Sequence, residues 1–380
     1  MHNNFINKHP FTAKNIIQLI LYLFVNTLFI LKYLPRANVN VIMPVIVYCI
    51  FIIGIFYFYQ KKILKISEKS LKIISLFIFI VVISLIIIIL VKIDPLSVRV
   101  DRWSAVTYFL DGLFRGEYPY AISTHVSASN FPSPFPAWHY LNIPFYLMGD
   151  VGIGLIFFLI FFLYSFYLYS KSYKRTFFLL LLLVLSPAYW WEVAVRSDSL
   201  SNAMLVLSII LILQSKSWTL CNCLTLTAVL TGIIVSTRLS AMLPIALFLF
   251  PSFLTLNFRE KIRFLIIIIG MVLFLFLPYI FWDVQEWIFF SRNPFMSQSS
   301  VGNIYLLLVM IGIGIYLSVS WKNFEQYLST TSLFIFIFIF ASQISLILTK
   351  GIQGSVFTDS LYDISYFSLL LPYSIASLTN

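Results

Sequence analysis

The stretch IISLFIFIVVISLIIIILV, residues 73–91, decides the class of this protein. It is nineteen residues long, carries no charge, and has two serines as its only polar side chains. A helix needs roughly 20 mostly apolar residues to cross the hydrocarbon core of a bilayer. A membrane-spanning strand would instead alternate apolar and polar residues, and this run does not. A second uncharged run, Phe264 to Phe281, repeats the signal.

The same solvent is required by the chain as a whole. Of its 380 residues 61% are hydrophobic and only 10% charged, with a mean hydropathy of +0.96. A soluble domain carries about 25% charged residues, so there is too little charge here to coat a globule. In lipid every backbone N–H and C=O must be paired internally, which leaves helices once the strand pattern is absent. The expected fold is therefore all-α: a polytopic integral membrane protein of about twelve transmembrane helices, with residues 1–380 forming one transmembrane domain. The spans are expected near 15–32, 40–59, 72–92, 146–170, 176–190, 199–214, 218–236, 239–256, 264–282, 301–320, 331–349 and 360–378. The first run lacks a small-residue cleavage site and is expected to stay as the first helix. The short hairpins around Ser186–Ser199 and Ser236–Ser240 are the least defined. No repeat or soluble domain is visible.

The net charge of +11 is not clustered on a soluble element, which argues against nucleic acid as a partner. It follows topology instead. Lys61, Lys62, Lys65, Lys69 and Lys72 share one loop, Lys171, Lys174 and Arg175 another, and Arg259, Lys261 and Arg263 a third. With the spans above these loops fall on one side together with the N-terminus, and the positive-inside rule makes that side cytoplasmic. Fifteen basic and three acidic residues then lie inside, against ten basic and eleven acidic outside. Twelve of the inner cations are lysine, whereas seven of the outer ten are arginine. Arginine presents a planar fork suited to phosphate and carboxylate, so the outer face is where anions are expected to bind. The Ile-, Asn- and Lys-rich composition points to an A/T-rich bacterium, hence to a multi-pass protein of the bacterial cytoplasmic membrane with both termini inside. Cys49, Cys221 and Cys223 all fall in or beside apolar runs, so no disulfide framework is expected.

The largest outer segment, 94–145, is too long for a simple turn. After Asp94-Pro95 and Asp101-Arg102, residues Trp103, Val106, Leu110, Leu113 and Phe114 recur at helical spacing up to Gly116, which predicts an amphipathic helix lying in the membrane interface. Prolines at 132, 134 and 136 predict an extended stretch over Asn130–Pro136. Asp101, directly before the helix, reads as a general base, as an N-cap, or as both. Glu192 and Arg196 stand four apart, on one helix face if the helix continues, with Asp198 just beyond. Charges beside apolar spans are costly and tend to be functional. Arg238 lies alone between two spans, either as a phosphate ligand or as a snorkelling side chain. His125 and His139 are candidate ligands or bases, without metal-like spacing. Asp283, Glu286 and Arg292 occupy a later outer loop with Trp282 and Trp287. Asp359 and Asp363, four apart, read as solvated helix ends. Gly152/Gly154 and Gly312/Gly314 suit close helix packing.

Together these segments show a resemblance. Asp101, an interfacial helix and Gly116-Glu117-Tyr118-Pro119-Tyr120 look like the first outer loop of GT-C-fold membrane glycosyltransferases, which shows an Asp, a short helix and a Gly-x-x-Pro-Tyr-like ending. Arg196-Ser197-Asp198 is similar to their Arg/Ser-x-Asp element, and Gly232 to Arg238 to their Gly…Lys/Arg hairpin. The resemblance covers roughly Asp94 to Pro251. Two extra spans precede the loop, and no strict Asp-x-Asp is present, so nothing in the motif indicates a divalent metal. The resemblance implies an enzyme that passes a sugar, with inversion, from a polyprenyl-phosphate carrier to a lipid, glycan or protein acceptor on the extracytoplasmic face. It implies Asp101 as the catalytic base, with Arg102, Asp111, Glu117, Tyr120, His139, Glu192, Arg196, Asp198 and Arg238 around the substrates. The alternatives are a transporter or flippase of lipid-linked sugars, whose sites lie near the midplane, and an O-antigen polymerase or ligase, whose large outer loop comes late in the chain.

Overall fold

The structure, a computed structural model, describes residues 12–61, 67–299, 304–358 and 364–379. Among them every regular element is helical. Lys62, Lys65, Asp359 and Asp363 lie outside the described residues.

The helices begin where the sequence supplies caps. Thr12 opens α1 (Ala13–Tyr33) by accepting from the Asn15 amide. After α2 (Ile42–Gln60), Ser67 caps α3 (Glu68–Lys92), which carries Glu68 in its first turn and Lys92 in its last, matching the helix dipole at both ends. Then follow α4 (Arg102–Arg115), α5 (Pro136–Leu147), α6 (Gly154–Ser170), α7 (Tyr173–Val184), α8 (Pro187–Ala194), α9 (Asp198–Ser215), α10 (Leu220–Val235) and α11 (Met242–Thr255). Asn257 and Glu260 form a reciprocal capping box at the start of α12 (Phe258–Trp282). The chain continues through α13 (Pro294–Ser299), α14 (Ile304–Ser320), α15 (Phe324–Ile352) and α16 (Leu371–Leu378).

Among the described residues helix falls within each expected span, but the helices are not equally long. Seven apolar helical stretches reach spanning length among the described residues: Ala13–Ala37, Ile42–Gln60, Glu68–Lys92, Val151–Ser170, Asp198–Ser215, Phe258–Trp282 and Phe324–Ile344. Tyr173–Val184 and Pro187–Ala194 would count as an eighth span only across a bend of 67°. The bend has a local cause. Ser186 turns to cap α8 through the Tyr189 amide, and Pro187 occupies the first helical turn, where its missing N–H costs nothing. Leu220–Val235, Leu239–Thr255, Tyr305–Ser320 and Ile364–Leu378 are shorter apolar helices. The protein is thus a helical, multi-pass membrane protein by its apolar helices, with seven or eight stretches of spanning length among the described residues.

Packing separates inner from lipid-facing helices. Four-fifths of α9 is buried (78%), chiefly against α6, whereas α2 and α3 are 11% buried and show isoleucine and phenylalanine outward, as a lipid boundary allows. Helix α1 is laced to its neighbours by polar side chains, which supply specificity where lipid removes the hydrophobic drive for association. Ser332 Oγ donates to Gln18 Oε1 (2.5 Å), Tyr22 to the Leu182 carbonyl (2.7 Å), and Asn26 Oδ1 accepts from both Ser186 Oγ and the Ala188 amide, fastening α8. Glycines permit some of the close contacts. A Cβ on Gly152 would stand 2.7 Å from Leu90 Cδ2, and one on Gly154 2.9 Å from Phe145 Cδ2, but Gly312 faces open space.

Segment 94–145 contains more structure than expected. Helix α4 closes at Gly116 in the left-handed conformation (φ 74°). Its buried side carries Arg102, Ala105, Val106, Phe109 and Leu110, while Phe114, expected on the apolar stripe, is 55% exposed. Residues 130–135 are non-helical, but Pro136 opens α5 rather than extending the stretch. The helix placed at 146–170 is divided accordingly, with α5 ending at Leu147 and α6 beginning at Gly154.

Candidate functional site

Three short pieces of chain meet at one end of the bundle: the start of α4, the α8–α9 turn and the α10–α11 turn. The prolines at 132, 134 and 136 organise the meeting. They have no N–H of their own, so the amides between and beyond them do the pairing. Phe135 N–H donates to the Thr237 carbonyl (2.9 Å) and Ala137 N–H to that of Ser236 (3.0 Å). Gln298 bridges the same pieces, with its side-chain amide on the Ser133 carbonyl and its oxygen accepting the Leu239 amide (2.9 Å). The α10–α11 turn is thereby held with Arg238 directed inward, and not snorkelling to the surface.

At the centre stands Asp198, the first residue of α9, buried between two arginines. Arg238 Nη1 is in direct contact with Asp198 Oδ2, and Arg102 Nη1 lies 3.6 Å from Oδ1. Arg102 also donates to Ser199 Oγ (3.2 Å) and to Ser365 Oγ (3.0 Å), and lies over the Tyr366 ring at 5.8 Å. All three charged groups are less than 10% exposed. Burial, reinforced by the like charge of Arg102, holds the Arg238 guanidinium down to about 10, against the opposing influence of Tyr366, Asp101 and Glu192. It therefore stays a cation at neutral pH. Glu192 is fully buried in α8, close enough to act on Arg238.

Asp101 lies immediately before Arg102 and is half-buried. It occupies the N-cap position of α4, and its backbone carbonyl accepts from the Ala105 amide (2.8 Å). Its side chain, however, makes no capping bond, because the backbone there (φ −82°, ψ 5°) is not the extended conformation that aims a cap side chain at the first turn. Among the described residues no hydrogen bond or ion pair engages this carboxylate. A carboxylate left free beside two buried cations can accept a proton, and the cations can hold an anion.

The other candidates fall elsewhere. Arg196 does not pair with Glu192: α8 ends at Ala194, Arg196 adopts φ 52°, and its Nε binds Asp150 Oδ2 at 2.9 Å. Tyr120 and His139 are fully buried and both donate to the Pro134 carbonyl (3.2 and 3.1 Å), with His139 stacked on Phe109 at 3.5 Å. Burial, aided by Arg238, pushes the His139 imidazole down to about 3, so it is neutral and serves as framework under the α10–α11 turn. Asp111 accepts from Tyr146 (2.6 Å), ten residues along α4 from Asp101, about 15 Å away. Glu117 pairs at the surface with Arg115 (3.0 Å). His125 ties down the approach to α4 through Ser104 Oγ (2.6 Å) and the Val98 carbonyl (3.0 Å). Arg292 binds Glu286 through both carboxylate oxygens (2.9 and 3.1 Å), a network of its own.

The structure thus gathers Asp101, Arg102, Glu192, Asp198 and Arg238, and leaves Asp111 and Glu117 outside. Asp150, Ser199, Ser365 and Tyr366 were not anticipated. Of these only Asp150 had a signal, as a charge directly beside an apolar run. Among the described residues no three His, Cys, Asp or Glu side chains converge as a metal would need. Comparison with protein-family models, with characterised proteins and with solved structures finds no match to this chain.

Proposed function

We propose that the protein is an inverting membrane glycosyltransferase that uses a polyprenyl-phosphate sugar as donor, at the extracytoplasmic face, with Asp101 as general base. The observation that carries the reading is the free Asp101 carboxylate beside the buried Arg102–Asp198–Arg238 cluster. In the reaction Asp101 takes the proton of an acceptor hydroxyl as its oxygen attacks the anomeric carbon. The new C–O bond forms on the face opposite the bond to phosphate, which breaks with its electron pair left on the departing polyprenyl phosphate. Arg102 and Arg238 stabilise that growing negative charge, and a buried setting strengthens their effect. The position of the cluster at one end of the bundle favours this chemistry over transport, for which a site near the midplane is expected.

The test is binding and turnover with defined donors. Purified protein in lipid nanodiscs, given a panel of polyprenyl-phosphate sugars and acceptor glycans, should release polyprenyl phosphate in step with product. Arg238→Lys keeps the charge but loses the fork, and should weaken donor binding about tenfold. Retention of full donor affinity in Arg238→Lys and Arg238→Gln alike would take the phosphate away from this cluster.

A further inference from the structure

Arg196 was expected to face a substrate, yet its side chain is engaged in the framework. Its Nη2 donates to the carbonyls of Leu90 (2.7 Å) and Ile93 (3.1 Å), at the end of α3, while its Nε binds Asp150. Asp150 in turn uses its other oxygen. Oδ1 accepts from the Trp103 indole N–H (3.1 Å) and from the Gly152 amide (2.7 Å). One carboxylate therefore joins the turn before α9, the first turn of α4 and the approach to α6.

The fit around this pair is close. The Arg196 side chain in its ion pair is 2% exposed. Its aliphatic part fills the space a side chain at 152 would need: a Cβ on Gly152 would lie 3.0 Å from Arg196 Cγ and 3.1 Å from Cδ. Arg196 itself holds a left-handed backbone (φ 52°) that L side chains seldom adopt. Of its three guanidinium nitrogens only Nη1 is without a hydrogen-bond partner among the described residues, and it is buried.

The sequence positions give the arrangement its meaning. Trp103 follows Asp101 and Arg102, and Arg196 precedes Asp198 by two residues. Of the three pieces of chain that form the cluster, the start of α4 and the α8–α9 turn are each fastened to Asp150, through Trp103 and Arg196 respectively. We infer that Arg196 is a positioning residue, acting through Asp150 and Trp103 to set Asp101 and Arg102 against Asp198, and is not a ligand of the donor phosphate. This rests on the reading of the cluster as the transfer site, and the test below separates the two.

The variants are Arg196→Ala, Asp150→Asn, their double, Arg196→Lys and Trp103→Phe, each in purified full-length protein. Two readouts are taken: kcat and donor KM for sugar transfer, and amide hydrogen exchange over residues 98–106 without any substrate. A displacement near 1 Å can cost about 10²-fold in rate. Arg196→Ala and Asp150→Asn should each lower kcat by about 10- to 100-fold with donor KM within twofold, and both should speed exchange over 98–106. Their double should be no worse than either single, because they break one link. Arg196→Lys can still pair with Asp150 but cannot also span two carbonyls, so it should recover only part of kcat. If Arg196→Ala does not fold, Trp103→Phe, which keeps an aromatic ring but loses the indole N–H and part of the ring volume, carries the test with the same directions. A donor KM raised tenfold by Arg196→Ala while Asp150→Asn behaves as wild type makes Arg196 a ligand and overturns the inference. A loss of thermal stability alone, with exchange and kcat unchanged, overturns it too. If no variant and no wild-type protein transfers sugar, the functional reading fails, and the exchange result alone decides whether Arg196 positions α4.

Discussion

Replacing Asp198 by Asn leaves Arg102 and Arg238 facing a neutral amide in a buried space. The cost follows from the geometry. Arg102 Nη1 stands 3.6 Å from Asp198 Oδ1, and at an effective dielectric near 20 a pair at that distance is worth about 4–5 kcal/mol. Arg238 is in direct contact with the other oxygen and has almost no access to water. Part of this attraction offsets the desolvation of the charges, so breaking such a pair from one side costs about 3–5 kcal/mol, the penalty of removing the carboxylate that buried cations face. For a protein of this size that lowers the melting temperature by roughly 4–6 °C. The assay is thermal unfolding in detergent micelles, followed by intrinsic tryptophan fluorescence. A second variant makes the cause visible. Adding Arg238→Gln to Asp198→Asn removes one of the two buried cations that faced the carboxylate, while Arg102 keeps its other contacts, Ser199 and Ser365 among them, so at least half of the lost stability should return. An Asp198→Asn protein that melts within 1 °C of wild type would refute the reasoning, as would a double variant whose loss is the sum of its parts.

Two other outcomes follow from the site and its setting. His139 is held neutral in the folded protein with its pKa near 3, well below 6.5, so the unfolded chain binds the extra proton: stability is complete above pH 6.5 and falls as the pH drops below it, by about 2 kcal/mol at pH 5. Melting curves at pH 7 and pH 5 should show that fall in wild type and a smaller one in His139→Asn, and equal slopes in both would assign the acid loss elsewhere. For topology, single cysteines at the exposed Ser127 and Ser67 in a cysteine-free background should label oppositely with an impermeant reagent, Ser127→Cys from outside intact cells; labelling of Ser67→Cys alone would reverse the orientation.

Much of this arrangement was legible because charge is rare in the chain. Asp101, Asp198 and Arg238 were conspicuous as charges beside apolar runs, where a buried or functional role is the default. Their pairing was not legible. Asp198 meets Arg102 and Arg238 across helices, and periodicity carries information only along one. The rule that residues four apart share a helix face linked Glu192 to Arg196, but α8 stops at Ala194, so Arg196 leaves the helix and finds Asp150. Asp101 does occupy the N-cap position, but its side chain makes no capping bond, owing to a backbone angle that sequence does not display. Helix α5 was hidden by its prolines. Pro136 suits a first helical turn, so the run of prolines ends in a helix start. Span lengths were hidden in the same way, since Ser186-Pro187 bends α8 by 67° from α7 within one apolar stretch.

The most direct test of the account is the turnover of Asp101→Asn with a defined polyprenyl-phosphate sugar. The amide keeps the size of the side chain and cannot accept a proton. Because the Asp101 side chain makes no capping bond, the variant should fold, melt close to wild type and bind donor with unchanged affinity. Its transfer rate should be lower by roughly 10²-fold or more, the usual scale for loss of a general base. Near-normal turnover in the well-folded, donor-bound Asp101→Asn protein would contradict the assignment of the base and leave Asp198 and Glu192 as the next carboxylates to test.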